Sequence, residues 1–200
     1  MAEALPNNNL IQRKCAIVGH SQVIPLPMWE IANQGHVVLN NPLDYQLFYR
    51  RGATTSSLYS DPTIRREIAE YDPDIIVIFL GSNDLDTTNY NYVSHFVIKD
   101  QLKRIGNHLR LQTSNGKARL YYMTIEQRLT PTFVSQDTYR RRRNKVNETL
   151  KKERSLRLIF NDMSLDRIGR DGIHFLPEWY RGVAWKIRRK VEDYAIGQGW

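Results

Sequence analysis

Short apolar runs separated by amphipathic segments are the feature that most limits how this chain can fold. Strands of this length that are apolar on both faces are typical of parallel sheets covered by helices on both sides. The pattern therefore predicts an α/β fold, a three-layer α/β/α sandwich with a five-stranded, mostly parallel sheet. The predicted strands are Cys15–Val18, Val37–Leu39, Ile75–Leu80, Leu120–Met123 and Leu156–Phe160.

The segments between these runs carry helix signals. Asp61 and Pro62 supply an N-cap and a first-turn proline for a helix over 64–71, and Pro73 ends that helix. Two later segments repeat apolar residues at steps of three and four, the spacing of a helix that packs one face on a sheet. These residues are Ile98, Leu102, Ile105 and Leu109 in one segment, and Tyr180, Val183, Ile187, Val191 and Tyr194 in the other.

Length and composition predict one globular domain. The 200 residues are 41% hydrophobic and 25% charged, an ordinary globular balance, so we expect a domain over 14–196, a loose lead-in over 1–13 and a tail over 197–200. The longest apolar run is too short to span a bilayer, and the first residues lack a signal-peptide pattern. The one cysteine, Cys15, allows no internal disulfide, so an intracellular, cytoplasmic location is expected.

Polar residues follow the predicted strands at the edge where a doubly wound sheet binds its ligands. A nucleophilic serine needs a base, the base needs a partner that holds its tautomer, and the developing oxyanion needs hydrogen-bond donors. The four polar groups contain a candidate for each of these roles. They are Gly19–Gln22, Arg51–Thr55, Gly81–Asp84 and Asp171–His174.

In order and approximate spacing, these four groups resemble the four blocks of the SGNH hydrolase superfamily, the GDSL-type esterases and lipases. The resemblance covers Lys14 to Tyr194 and includes Tyr71–Asp74, which leads into the third strand. It implies a serine esterase that hydrolyses a small or short-chain acyl ester through an acyl-serine intermediate. It implies neither a cofactor nor a metal.

The resemblance also implies the roles of single residues. Ser21 would be the nucleophile, His174 the general base and Asp171 the residue that orients the base. The oxyanion hole would be formed by the backbone N–H groups of Ser21 and Gly52 and by the side-chain amide of Asn83. The Asp171 and His174 spacing of three fits one turn of loop or helix, so the carboxylate can hold the imidazole ring locally.

The first block departs from the usual Gly-Asp-Ser, because its middle residue is His20. This histidine would add a positive charge next to Ser21 and change the pH range of the site. His20 and Arg51 are candidate substrate contacts. The α/β-hydrolase pattern Gly-x-Ser-x-Gly is absent, since Val23 stands two residues after Ser21.

The charge of the chain supports a second hypothesis. Lys and Arg total 29 against 21 Asp and Glu, a net charge of +8 that would attract nucleic acid. Four consecutive arginines lie on a predicted helix capped by Asp137 or Thr138, and they form either a solvated face or phosphate contacts: Arg140, Arg141, Arg142 and Arg143. The alternative function is therefore an SGNH-like nucleic-acid (RNA) binding module, similar to the esterase domain in the first open reading frame of some LINE-type retrotransposons.

Overall fold

The computed structural model describes residues 12–28, 43–161 and 168–200. One five-stranded sheet has the order β2-β1-β3-β4-β5, and all its described pairings are parallel. This confirms the predicted fold class. The strands are β1 (Lys14–Gly19), β2 (Asp44–Tyr49), β3 (Ile75–Phe79), β4 (Arg119–Met123) and β5 (Leu158–Ile159).

Within the described residues, six α-helices connect or flank these strands: α1 (Thr55–Tyr59), α2 (Pro62–Tyr71), α3 (Ser82–Leu85), α4 (His95–Arg110), α5 (Gln136–Lys152) and α6 (Pro177–Gly197). The predicted start of α2 is confirmed, because the Asp61 carboxylate accepts the N–H groups of Thr63 and Ile64. Among the described residues, no helix combines the length and the apolar character needed to cross a membrane.

The alternation of side chains along each strand divides the core into two layers. In β1, Cys15 and Ile17 pack with α6, whereas Ala16 and Val18 pack with residues of α1, α2, α4 and α5. Both sides are apolar, which explains why the central strands appear in the sequence as continuous apolar runs. The apolar positions predicted to face inward from α4 are all buried: Ile98, Leu102, Ile105 and Leu109.

The second strand differs from its prediction. The run Val37–Leu39 lies outside the described residues, and the strand that leads to Arg51 is β2, at Asp44–Tyr49. β2 lies at an edge of the described sheet, and of its six residues only Phe48 is fully buried. Its six residues, DYQLFY, mix polar and apolar side chains and are mostly only partly buried, so the hydrophobic pattern identifies it poorly.

The C-terminal residues are in contact with the rest of the fold. The Trp200 ring packs against the Tyr194 ring at a centroid distance of 5.4 Å, and the Arg13 guanidinium lies 4.5 Å from the Trp200 ring centre. The predicted limits of the domain and of its tail stay a prediction.

Candidate active site

The register of the central strands brings three of the predicted blocks to one edge of the sheet. Gly19 pairs with both Tyr49 and Phe79, so the segments that follow β1, β2 and β3 leave the sheet side by side. The pairing requires glycine at position 19, because a Cβ there would lie 2.1 Å from the Phe79 carbonyl oxygen. Ser21 begins a short 3₁₀ turn directly after this glycine.

Among the backbone N–H groups at this edge that have no acceptor within the described residues, two are the predicted oxyanion donors. They belong to Ser21 and Gly52. Gly52 has a φ of +68°, a conformation that glycine adopts without steric cost, and it lies in a turn closed by the Ala53 N–H and the Arg50 carbonyl. Such N–H groups are the donors that an oxyanion hole requires.

Asn83 lies beside the Gly52 turn. One N–H of its side-chain amide donates to the Ala53 carbonyl at 2.9 Å, which leaves the second amide N–H for another acceptor. The structure therefore brings the predicted donors Gly52 and Asn83 together. Their use as oxyanion donors stays a prediction.

Arg128 is a residue of this site that the sequence analysis missed. Its guanidinium donates to the Asn83 side-chain oxygen at 2.6 Å and to the Ser82 hydroxyl at 3.0 Å. A third bond, at 2.8 Å, joins it to the Asp86 carboxylate, so it is a buried arginine with a buried counter-ion. Arg128 lies 45 residues from Asn83 in the chain, and no local pattern links the two.

His20 is completely buried, and its ring faces the third block. Its Nε2 atom lies 3.1 Å from the Ser82 hydroxyl and 3.4 Å from a Glu126 carboxylate oxygen, and its Nδ1 accepts the Gln22 N–H at 3.5 Å. The expected contact of His20 with substrate is therefore wrong for this structure. The side chain links the residue before Ser21 to the residue before Asn83.

The predicted positive charge of His20 is also wrong at neutral pH. Burial disfavours the charged ring and lowers the pKa of His20 to about 4. The Glu126 carboxylate opposes this shift, whereas the charges of Arg128 and His174 add to it. The ring is therefore uncharged at pH values well above 4.

The fourth block forms the second half of the site. The His174 Nδ1 atom lies 2.6 Å from the Asp171 carboxylate, and both side chains are about half exposed, at 47% and 51%. Partial burial would raise the pKa of Asp171, but hydrogen bonds from the His174 ring and from the N–H groups of Ile173 and His174 lower it to about 2. The predicted base and its orienting carboxylate are thus in contact.

The first and fourth blocks are joined through Gln22. Its amide donates to the Ile173 carbonyl at 2.9 Å and accepts the Tyr180 hydroxyl at 2.5 Å. Within the described ranges, no hydrogen bond joins the Ser21 hydroxyl to the His174 ring. The contact between nucleophile and base stays a prediction, and catalytic hydrogen bonds are often long in unliganded sites.

Asp84 has a structural contact that the sequence did not indicate. Its carboxylate accepts the Thr55 N–H at 3.0 Å and lies 2.5 Å from the Thr55 hydroxyl, which ties α3 to the start of α1. Burial raises the pKa of Asp84 to about 6, although the hydrogen bonds from Thr55 act against this shift.

A cavity of about 460 Å³ opens next to Gly52 and Asn83. Most of its lining is uncharged and polar, with Val93 and Phe133 as apolar members and Asp84, Asp86 and Arg128 as charged ones. Ser21 and His174 are not among its lining residues. Arg51, the second predicted substrate contact, is exposed and is not among the described residues that line the cavity. A larger cavity of about 630 Å³ lies between β2 and α2, and none of the predicted catalytic residues lines it.

The arginine run on α5 does not form one surface. Arg142 is buried and donates to the carbonyls of Leu85 and Thr87, and its guanidinium lies 3.9 Å from the centre of the Tyr92 ring. The prediction that Arg142 contacts nucleic acid is therefore wrong. Consecutive residues of a helix point about 100° apart, so at least one of four must face inward.

The other arginines of the run have different surroundings. Arg140 is exposed and pairs with Asp137, whereas Arg141 is exposed and donates to the Thr138 hydroxyl. Arg143 is half-buried. The helix is capped by Ser135, whose hydroxyl accepts the Thr138 N–H, and not by Asp137 or Thr138 as predicted.

The described residues contain no group of three or more His, Cys, Asp or Glu side chains that could hold a metal ion.

No protein-family model and no curated protein sequence matches the chain. Solved structures do match it. A native aryl esterase from M. smegmatis has a TM-score of 0.66 at 15% identity, covering 90% of this chain and 99% of that one. A lipase/acylhydrolase from Enterococcus faecalis has a TM-score of 0.61 at 18% identity, covering 92% and 97%. An acetyl esterase variant with an acetate ion has a TM-score of 0.63 at 15% identity, covering 92% and 98%. The chain therefore has the fold that these esterases and acylhydrolases share, the SGNH hydrolase fold that its four sequence blocks predict.

Proposed function

We propose that the protein is a serine esterase that hydrolyses small acyl esters through an acyl-serine intermediate. The observation that carries this proposal is the arrangement at one edge of the sheet. Ser21, the N–H groups without acceptors and the Asn83 amide lie there, and Gln22 joins them to the segment with the Asp171–His174 pair. These are the parts that acyl transfer requires.

In the acylation step, His174 acts as the base. Its Nδ1–H donates to Asp171, which leaves the Nε2 lone pair to accept the proton of the Ser21 hydroxyl as the serine oxygen attacks the ester carbonyl. The negative charge that develops on the carbonyl oxygen is stabilised by the N–H groups of Ser21 and Gly52 and by the Asn83 amide. His174 then gives the proton to the departing alcohol.

Deacylation repeats these steps with water as the nucleophile. His174 accepts a proton from the water molecule, the same donors stabilise the second oxyanion, and the proton returns to the Ser21 oxygen as the acid leaves. The Asp171 carboxylate stays ionised throughout, consistent with its pKa of about 2, and stabilises the imidazolium that forms in each step.

The charged residues that line the cavity beside Gly52 and Asn83 are bonded within the protein, Asp84 to Thr55 and Arg128 to Asp86 and Asn83, so the cavity supports a small, uncharged substrate. Its polar side chains suit an alcohol group that can form hydrogen bonds and suit a long acyl chain poorly. The polar lining residues without a charge include Thr54, Ser56, Thr87, Asn91, Gln101 and Thr132. We therefore expect acetate and other short-chain esters to be better substrates than long-chain esters.

The test is hydrolysis of p-nitrophenyl acetate by the wild type, Ser21→Ala and Ser56→Ala. Ser56 lines the cavity beside Gly52 and Asn83 and takes no part in the proposed proton transfers, so its variant controls for loss of a hydroxyl near the site. We expect Ser21→Ala to lose at least about 10³-fold in kcat and Ser56→Ala to stay close to the wild type. Mass spectrometry after treatment with an alkyl phosphonate should find the adduct on Ser21. If Ser21→Ala keeps a kcat close to that of the wild type, the proposal is overturned.

The alternative function, nucleic-acid binding through α5, has weaker support. Of the four arginines proposed for it, Arg140 and Arg141 are exposed, and each already contacts a side chain of its own helix. A solvated helix face accounts for these two residues. We therefore do not propose a nucleic-acid partner as the function of this site.

A further inference from the structure

We propose that Arg128 is a positioning residue of the oxyanion hole, whose guanidinium fixes and polarises the Asn83 amide. The inference rests on the proposed esterase function and adds a residue to its machinery. Arg128 is only 5% exposed, and although it lines the cavity, its two terminal nitrogens donate to Asp86, Ser82 and Asn83. It therefore acts on the reacting atoms through the Asn83 amide.

Arg128 determines which way the Asn83 amide faces. The amide oxygen accepts a guanidinium N–H at 2.6 Å, and an amide N–H donates to the Ala53 carbonyl at 2.9 Å. A flipped amide would place its N–H groups against the guanidinium donors and its oxygen against the carbonyl oxygen. Both contacts would then be repulsive, so only the observed orientation is favourable. The remaining N–H of Asn83 is consequently held in one direction.

Arg128 is in turn held by a fixed anion. Asp86 accepts one guanidinium N–H at 2.8 Å, and its carboxylate also accepts the N–H groups of Thr132 and Phe133 at 2.9 Å. The side chains of Arg128 and Asp86 are only 6% and 2% exposed. A buried pair with several hydrogen bonds does not rearrange easily, so the geometry at Asn83 exists before substrate binds.

The positive charge of Arg128 also affects the chemistry of the amide. A cationic donor on the amide oxygen withdraws electron density from the amide nitrogen, and this makes the free N–H a stronger donor. The effect is largest when negative charge develops on the substrate oxygen, in a site with little water to screen it. Loss of Arg128 should therefore lower kcat and leave KM almost unchanged.

The test compares Arg128→Ala with Asn83→Ala and with the double variant. We expect Arg128→Ala to lower kcat about 10- to 100-fold, less than loss of the donor itself. In the Asn83→Ala background the same change should alter kcat less than about 3-fold, because the group through which Arg128 acts is gone. If Arg128→Ala lowers kcat by the same factor in the wild type and in Asn83→Ala, the proposal is overturned and Arg128 has a general structural role.

Chemical rescue separates the charge from the volume of the side chain. Guanidinium ion at low, non-denaturing concentration should restore part of kcat in Arg128→Ala, whereas urea, which is planar, neutral and similar in size, should not. Equal rescue by both would overturn the polarisation argument. Arg128→Met fills the space without the charge, and it should show the same loss of kcat if Arg128→Ala does not fold.

Arg188→Ala is the matched control, because Arg188 is also a buried arginine paired with a buried carboxylate, that of Glu192 on α6, and neither residue lines the cavity. Its folded fraction should keep the wild-type kcat even if its stability falls. A wild type without Ser21-dependent hydrolysis would overturn the proposed function and this inference together. Ser21-dependent hydrolysis that is unaffected by Arg128→Ala and Arg128→Met would overturn only the role of Arg128.

Discussion

The two sides of the candidate active site differ in their exposure to solvent. On the Asn83 side, His20, Ser82 and Arg128 are buried and joined by hydrogen bonds between side chains. On the base side, the Asp171 and His174 side chains are about half exposed and bond mainly to each other and to the backbone of their own loop.

The difference corresponds to what each side has to do in the proposed reaction. Oxyanion donors are effective when they are already in place, because no reorganisation is then required as charge develops. A base that passes protons to an alcohol and later takes one from water needs access to both. A buried donor network beside an exposed base meets both requirements.

One segment after β4 connects the two sides. Arg128 contacts Asn83, and the next two residues, Leu129 and Thr130, donate their N–H groups to the Gly172 carbonyl. The Thr130 hydroxyl donates to the Asp171 carbonyl at 2.6 Å. The loop that carries Asp171 and His174, here called the base loop, therefore has exposed catalytic side chains but a backbone held by hydrogen bonds.

Among the changes that compare the two sides, the largest effect is expected on the buried side, at Asn83. Asn83→Ala removes a donor that acts on transition-state charge, so we expect kcat to fall about 100- to 1000-fold with little change in KM. Steady-state kinetics on p-nitrophenyl acetate measure this split. Asn91→Ala, an amide lost from the same cavity, is the control and should stay near the wild type. A raised KM with unchanged kcat would assign Asn83 to ordinary substrate binding.

The second effect concerns the stability conferred by the buried His20. In the unfolded chain histidine takes up a proton near pH 6.5, whereas in the fold it resists protonation down to about pH 4. His20 should therefore contribute a loss of stability on the order of 3 kcal/mol as the pH falls through this window, whereas Asp84, whose pKa burial raises to about 6, contributes in the opposite direction. Urea unfolding at pH 7, 5.5 and 4.5 gives the net pH dependence, and its difference between the wild type and His20→Gln isolates the contribution of His20.

His20→Gln should remove that part of the pH dependence, because glutamine does not titrate. Ser82→Ala is the matched control: it deletes the hydroxyl that faces the ring and retains the histidine, so it should keep the wild-type dependence. If His20→Gln and the wild type lose stability in parallel, His20 is not the group responsible.

The third effect tests how the exposed side is held. Gly172 has a φ of +68°, and a Cβ there would lie 2.0 Å from the Thr130 hydroxyl oxygen. Gly172→Ala should displace the base loop, lower the free energy of unfolding by roughly 1–3 kcal/mol and reduce kcat/KM. Gly116→Ala is the control for backbone strain alone, since Gly116 has a φ of +59° and open space around it. Similar losses of stability in the two variants would mean that the Thr130 contact is easily accommodated.

The smallest effect is expected outside both sides, on α5. Replacement of the exposed Arg140 and Arg141 by alanine should leave kcat unchanged and shift stability by less than about 0.5 kcal/mol. If these arginines do bind RNA, the log–log salt slope of binding should fall by about 1.4 at most, from roughly 0.7 per contact. An RNA shift assay at several salt concentrations measures the slope. A loss of esterase activity in this folded variant would show that α5 is linked to the cleft.

The sequence by itself determined the layered fold and the positions of the four blocks. Periodicity of apolar residues is a local property, and it gave the central strands and the buried face of α4 because these elements are covered on the sides that the pattern indicates. The start of α2 could be read in the same way, since Asp61 and Pro62 act on the next turn of the chain. The contact of Asp171 with His174 also lies within three residues.

Only the tertiary structure decided which polar residues are buried and what they contact. The ring of His20 faces Ser82, and Arg128 faces Asn83, across 62 and 45 residues of sequence. Arg142 faces inward although its three neighbours in sequence are also arginines. Such pairings depend on where separate elements come to lie against one another, and the cost of burying a polar group can be offset by a partner from any part of the chain. For this reason hydrophobic patterns predicted the architecture, whereas the hydrogen-bond network behind Asn83 became visible only in the folded protein.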